Sequence, residues 1–245
     1  MWRRSRLVWE HILLAWEAFC RLPALGKWPV RQVLLKQTYF TGAESLLTVG
    51  LVAFLTGLIV VTEINNLVGR NELLTIQIMV WAIVRELGPL LTIMVIIGRS
   101  SSALASELST MQINDEIRNL RNMAISPLSY LVMPRVLGMT LACIALTIYF
   151  QAIAISAGMA VNTLRMGASL ESQAASFFEL IEFHEIATSF FKSVLFGVLV
   201  SVVSCYHGLR KKVAATEVPQ AVSQAVIRSL MVVFAGDGLV TILVF

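Results

Sequence analysis

Residues 136–164 run for 29 positions without one charged side chain. An α-helix rises 1.5 Å per residue, so about 20 apolar residues cross the roughly 30 Å hydrocarbon layer of a bilayer. This run is longer than one crossing needs, which implies tilt or continuation beyond the membrane. Residues 45–62 are uncharged over 18 positions, and 73–84 and 87–98 are uncharged on either side of Arg85-Glu86. Residues 186–209 are apolar apart from Lys192 and His207, and 218–245 contain only Arg228 and Asp237. Only 14% of the 245 residues are charged and mean hydropathy is +0.79, against about 25% charged in soluble domains. Such a chain cannot cover itself with a polar surface. The fold class expected is an all-α polytopic membrane protein with five transmembrane helices, near 45–64, 73–98, 128–160, 186–209 and 221–245. Each half of 73–98 is 12 residues long, too short to cross alone. A single span is preferred there, with a re-entrant hairpin as the alternative.

Charge placement sets the orientation. With the N-terminus in the cytoplasm, the inner segments hold 14 of the 19 basic residues, including Arg31, Lys36, Arg99, Arg118, Arg121, Arg135 and Arg210. The outer segments hold Arg70 and Arg165, and they carry Glu63, Glu72, Glu171, Glu179, Glu182 and Glu185. Five spans then leave the C-terminus outside. Residues 1–40 form a separate region in which Trp2, Trp9 and Trp16 recur every seven positions among arginines. This reads as an amphipathic helix lying in the membrane interface, with a soluble-facing packing helix as the alternative. Residues 41–245 form the membrane domain. The basic pI of 9.2 is topological rather than a sign of nucleic-acid binding, because the basic residues sit in short blocks between apolar runs.

Between the second and third spans, Leu104, Leu108, Met111, Ile113, Ile117 and Leu120 make an apolar stripe beside Glu107, Asp115, Glu116, Arg118 and Arg121. The pattern predicts an amphipathic cytoplasmic helix near 107–122 that either docks a partner or lies on the membrane surface. Inside the spans, ionisable groups must pair or face a cavity. Arg85 and Glu86, beside Gly88 and Pro89, read as a polar gate or as a structural pair at a helix bend. Asp237, between Gly236 and Gly238, and Arg99, at the cytoplasmic end of span two, complete the candidate cavity residues. Cys20, Cys143 and Cys205 read as small hydrophobes. The histidines are far apart in sequence and no metal site is expected. The sequence has no GxxxxGK[ST] phosphate loop, nucleophile elbow or HExxH motif, so it is not read as an enzyme.

Arg85-Glu86-Leu87-Gly88-Pro89, Gly98-Arg99, Ser102-Ala103-Leu104-Ala105, Glu107-Leu108, Ser126-Pro127-Leu128 and Pro134-Arg135 resemble the signature of the MlaE/YrbE permeases. Lys192-Ser193, Cys205-Tyr206 and Asp237 with Leu239 and Thr241 extend the resemblance along the chain. It departs from that family at Ser101, where a glycine is usual, and in the segment Ile113–Leu120, which marks a divergent branch. The resemblance implies the membrane subunit of an ATP-binding-cassette lipid transporter in a Gram-negative-type inner membrane. It implies a dimer with a second, identical permease subunit, a periplasmic MCE-domain protein outside, and membrane phospholipid as cargo in a cavity lined by spans one, two and five. Glu107, Met111, Asp115, Glu116, Arg118 and Leu120 would couple to a cytoplasmic ATPase dimer. This chain would hold no cofactor, and ATP and Mg would be used by the partner ATPase. Two other readings stand beside it. One is an ion-gradient transporter with Glu86 and Asp237 as proton relays; the other is a non-transporting membrane scaffold.

Overall fold

The computed structural model describes residues 28–69, 71–167, 169–210 and 214–244. Expectations for residues 1–27, including the tryptophan repeat and Cys20, fall outside them. Among the described residues all regular structure is helical. Five helical rods are long and apolar enough to cross a membrane: Trp28–Val68, Leu73–Ile113, Leu128–Arg165, Phe183–Leu209 and Ala215–Leu243. The chain is a polytopic all-α membrane protein.

The first rod contains α1 (Trp28–Gly42), a tight turn over Ala43–Ser45, and α2 (Leu46–Val68). Helix α1 buries Val30, Gln37 and Thr41, and Gln37 Nε2 donates to Thr41 Oγ1 at 2.9 Å. The second rod contains α3 (Glu72–Met79), a wide π-type turn over Val80–Leu87, α4 (Gly88–Ile96), a second wide turn over Ile97–Ser101, and α5 (Ser102–Ile113). It passes once through the bundle, with no hairpin.

The amphipathic segment expected near 107–122 is not one helix. Residues 107–113 belong to the stem of α5, and a separate α6 spans Glu116–Asn122. Asp115 breaks the two apart with φ 57°, a left-handed conformation that Asp tolerates better than most residues. The apolar periodicity continues through the break because Leu108 and Ile117 both face the core, which is why the pattern reads as continuous.

The third rod opens with a wide turn over Leu128–Val132 and continues as α7 (Met133–Met166), whose end is set by Gly167 at φ 71°. Helix α8 (Leu170–Leu180) is capped by Ser169, whose side chain accepts from Ser172 N at 3.0 Å. Helix α9 (Phe183–Leu209) and α10 (Val218–Val244) complete the bundle. The hub is α7, which packs against α1, α2, α4 and α9, while α9 also packs against α5 and α10. Cys143 and Cys205 are buried in this core.

Hydrophobicity does not select which face of a membrane helix packs, because lipid is as apolar as the core. Size does. Helix α2 turns Val49, Ala53, Gly57 and Val61 toward α7 and leaves Leu47, Leu51, Phe54, Leu55 and Ile59 outside. At Gly57 the backbones are so close that an added Cβ would overlap the carbonyl of Ala154. Replacing Gly57 by Val should therefore push α2 off α7 and destabilise the protein by about 1–3 kcal/mol or more. Gly98→Ala, at a position with nothing within 4 Å of an added Cβ, should leave stability close to wild type. Thermal unfolding of both variants in detergent checks this, and equal melting temperatures would refute the close-contact account.

Candidate functional site

Three rods bring ionisable side chains to one point inside the bundle. The wide turn Val80–Leu87 supplies Arg85 and Glu86, α9 supplies Glu185 and Lys192, and α10 supplies Asp237 and Thr241. Lys192 is fully buried. Its Nζ donates to Glu86 Oε2 at 2.6 Å and to Thr241 Oγ1 at 3.1 Å, and lies 2.8 Å from Asp237 Oδ1. Arg85 places Nε 3.6 Å from Glu86 Oε1 and Nη1 3.7 Å from Glu185 Oε1. Three carboxylates thus face two cations. The cations are the deeper members: the side chains of Lys192 and Arg85 are 0% and 3% exposed, against 22%, 17% and 16% for Glu86, Glu185 and Asp237. The accessible side of the cluster is its acidic side.

The local sequence explains how Arg85 and Glu86 reach this position. The wide turn leaves backbone groups without their usual helical partners, and Gln151 of α7 repairs one by donating from Nε2 to the Val84 carbonyl at 2.9 Å. The same amide reaches Ser189 Oγ on α9 at 2.6 Å. Gly88 makes room for it, since a Cβ there would sit 3.0 Å from Gln151 Nε2 and 2.7 Å from the Ile83 carbonyl. Pro89 falls in the first turn of α4, where a missing N–H costs little. Gly88 and Pro89 therefore shape the turn, and Arg85 and Glu86 are held by other helices as well as by each other.

Asp237 joins this cluster and Arg99 does not. Arg99 lies 13 residues beyond Glu86, about 20 Å along the rod. It donates to the backbone carbonyl and carboxylate of Glu44 and sits 5.8 Å over the Phe40 ring. It fastens the second span to the turn between α1 and α2. Sequence reasoning misses Lys192, Glu185 and Thr241 as site residues. The signal for the first of them is a lone lysine in an apolar run, which must meet an acid. Counted from the same end of the bundle, Lys192 and Asp237 lie at similar depths.

At the other end, α6 buries Ile117 and exposes Glu116, Arg118 and Arg121, followed by exposed Met123 and Ile125. Glu116 accepts from Asn114 Nδ2 at 3.3 Å, and Asp115 is exposed at the break. Leu120 and Met111 are half-buried and pack against the core. Glu107, on the α5 stem, accepts from Arg135 Nη2 at 2.8 Å. A groove of about 400 Å³ beside α6 is lined by Gln112, Ile117, Arg121, Pro127, Tyr206 and Arg210, among others. Charged rims, exposed apolar side chains and a groove make this face suited to a partner protein. Among the described residues there is no cluster of His, Cys, Asp and Glu arranged to hold a metal ion.

Several relatives and one family match this chain by sequence. A permease of Haemophilus influenzae named for an intermembrane phospholipid transport system is 27% identical over 236 residues, covering 90% of this chain and 87% of the relative. The chloroplastic protein trigalactosyldiacylglycerol 1 of Arabidopsis thaliana is 30% identical over 243 residues, covering 96% of this chain and 68% of the relative. A probable ABC transporter permease of Rickettsia typhi is 26% identical over 217 residues, covering 87% and 83%. The family described as Permease MlaE matches residues 34–243, which takes in most of the first span, the other four, the charge cluster and the α6 face, and the chain belongs to that family.

Proposed function

We propose that this chain is the transmembrane subunit of an ATP-driven phospholipid transporter that moves lipid between an inner membrane and a periplasmic MCE-protein conduit. The observation that carries the reading is the buried cluster of Glu86, Lys192 and Asp237, which ties three spans together by charge and turns its carboxylates to the accessible side. The named phospholipid role of the Haemophilus relative supports the same reading. The first and fifth spans, which contain α2 and α10, are the least buried of the five. Their free apolar faces suit a second, identical copy, with a lipid cavity between spans one, two and five of each.

ATP would be bound with Mg by a separate chain, because this sequence carries no phosphate-binding GxxxxGK[ST] loop. That ATPase would dock on α6 and the end of α5, through Glu107, Met111, Asp115, Glu116, Arg118 and Leu120. The positive-inside bias puts this face in the cytoplasm, the N-terminus with it, and the charge cluster in the periplasmic half of the membrane. Work done on α5 by the ATPase would reach the cluster directly, since α5 and the Glu86 turn belong to one rod. The ion-gradient reading keeps one supporting observation, the three carboxylates facing two cations inside a membrane.

Reconstitution with the ATPase and an MCE-domain partner separates these readings. Lipid transfer should require ATP hydrolysis and survive a protonophore, and transfer abolished by the protonophore with ATP present would reverse the choice. Lys192→Met leaves Asp237 without its cation and Glu86 with only the longer Arg85 contact, so it should cost about 3–5 kcal/mol in stability. The triple variant Glu86→Gln, Lys192→Met, Asp237→Asn should recover much of the melting temperature, because the uncompensated charge is gone, while transfer stays low. Recovery of both together would reduce the cluster to a structural element. On the opposite face, Arg118→Glu with Arg121→Glu should reduce ATPase co-purification by about tenfold or more, and undiminished recovery would remove α6 from the docking surface.

A further inference from the structure

A second groove, of about 390 Å³, opens between α1, the start of α7 and the wide turn that leads into α5. Its floor is polar and incompletely satisfied. Arg135 is 5% exposed and gives Nη2 to Glu107, but its buried Nη1 has no partner. Ser100 is fully buried and its Oγ also has none. Lys36, exposed on α1, stands at the rim, while Phe40 and Leu104 form apolar walls. Two cations therefore line the groove against one carboxylate.

A buried guanidinium nitrogen without an acceptor is costly, and the missing acceptor is an anionic oxygen. The position says which kind. Arg135 lies seven residues into the third rod, which begins at Leu128, so it sits about 10 Å from that end. The same end carries Arg118, Arg121 and Arg210. A group entering there from the side of the bundle comes from the headgroup layer of the bilayer, and the walls beside the cations are hydrocarbon.

We propose that this groove binds one anionic phospholipid. Arg135 Nη1 and Lys36 hold its phosphate, Ser100 donates its hydroxyl, and an acyl chain lies along Phe40 and Leu104. This lipid is not cargo. Ser100 is 14 residues from Glu86, about 21 Å along the second rod. The bound lipid joins α1 to the stem of α5 and to α7, and it shares Arg135 with Glu107. The site rests on the membrane placement of the chain and not on the transport reading.

The test uses the full chain, purified with its associated subunits and stripped of lipid by detergent exchange. Phosphatidylglycerol is titrated in, and bound lipid is counted by native mass spectrometry. Lys36→Glu reverses the rim charge, and Ala103→Leu fills the groove while leaving the Arg135–Glu107 pair in place. Each should weaken the tightest phosphatidylglycerol site by about tenfold or more, with the lipid-free melting temperature unchanged. Phosphatidylcholine should bind the wild-type site more weakly than phosphatidylglycerol. Unaltered phosphatidylglycerol binding in both variants would overturn the proposal. Displacement of the lipid by millimolar inorganic phosphate would also overturn it, showing a site for a free anion rather than a lipid.

Discussion

Lys192 has no access to solvent, so its charge is tenable only while Glu86 and Asp237 remain beside it. That requirement fixes the relative depth of three spans more tightly than packing could. Apolar side chains sliding past one another in lipid exchange one hydrocarbon contact for another. A carboxylate moved a few ångströms from an ammonium in that medium has no water to replace it. The second, fourth and fifth rods are in this sense registered by charge, whereas α2 is registered on α7 by the shape of Gly57 against Ala154.

The wide turn at Val80–Leu87 carries two of the charged residues of this cluster, Arg85 and Glu86. The π-type turn widens the helix there and keeps both near α9, where Arg85 approaches Glu185 and Glu86 meets Lys192. Its cost in backbone hydrogen bonding is offset by Gln151, which reaches across from α7 to the Val84 carbonyl. π-type turns of this kind are frequent at functional sites.

Much of this architecture is legible in the amino-acid sequence. Five spans can be read because runs without charge as long as 29 residues have no soluble explanation. Arg85, Glu86 and Asp237 stand out as a special set because charge in hydrocarbon is expensive. Partnership is what the sequence hides. The apolar pattern of a membrane helix carries no information about which face packs, so nothing in it shows that Lys192 lies opposite Glu86 or that Arg99 turns away to Glu44. The break at Asp115 is hidden for a related reason: Leu108 and Ile117 are both core residues, and the stripe they belong to runs straight through the break between the two helices.

The two ends of the second rod are bound by unlike attachments, and this bears on how the subunit could move. At the Glu86 end, one lysine makes short contacts to two acids on different helices, an arrangement in which loss of any partner strands a charge. At the α5 end, Arg99 holds Glu44 at a half-exposed site, where water can take over either partner at small cost, and the Glu107 carboxylate paired with buried Arg135 is itself exposed. A force applied at α6 would therefore meet these wetter ion pairs first and a rigid, dry cluster last. The rod between them is continuous, so displacement at the wet end arrives at the dry end as strain on Glu86, the carboxylate most exposed of those around Lys192. The cluster can release a span only if its charges are met by something else.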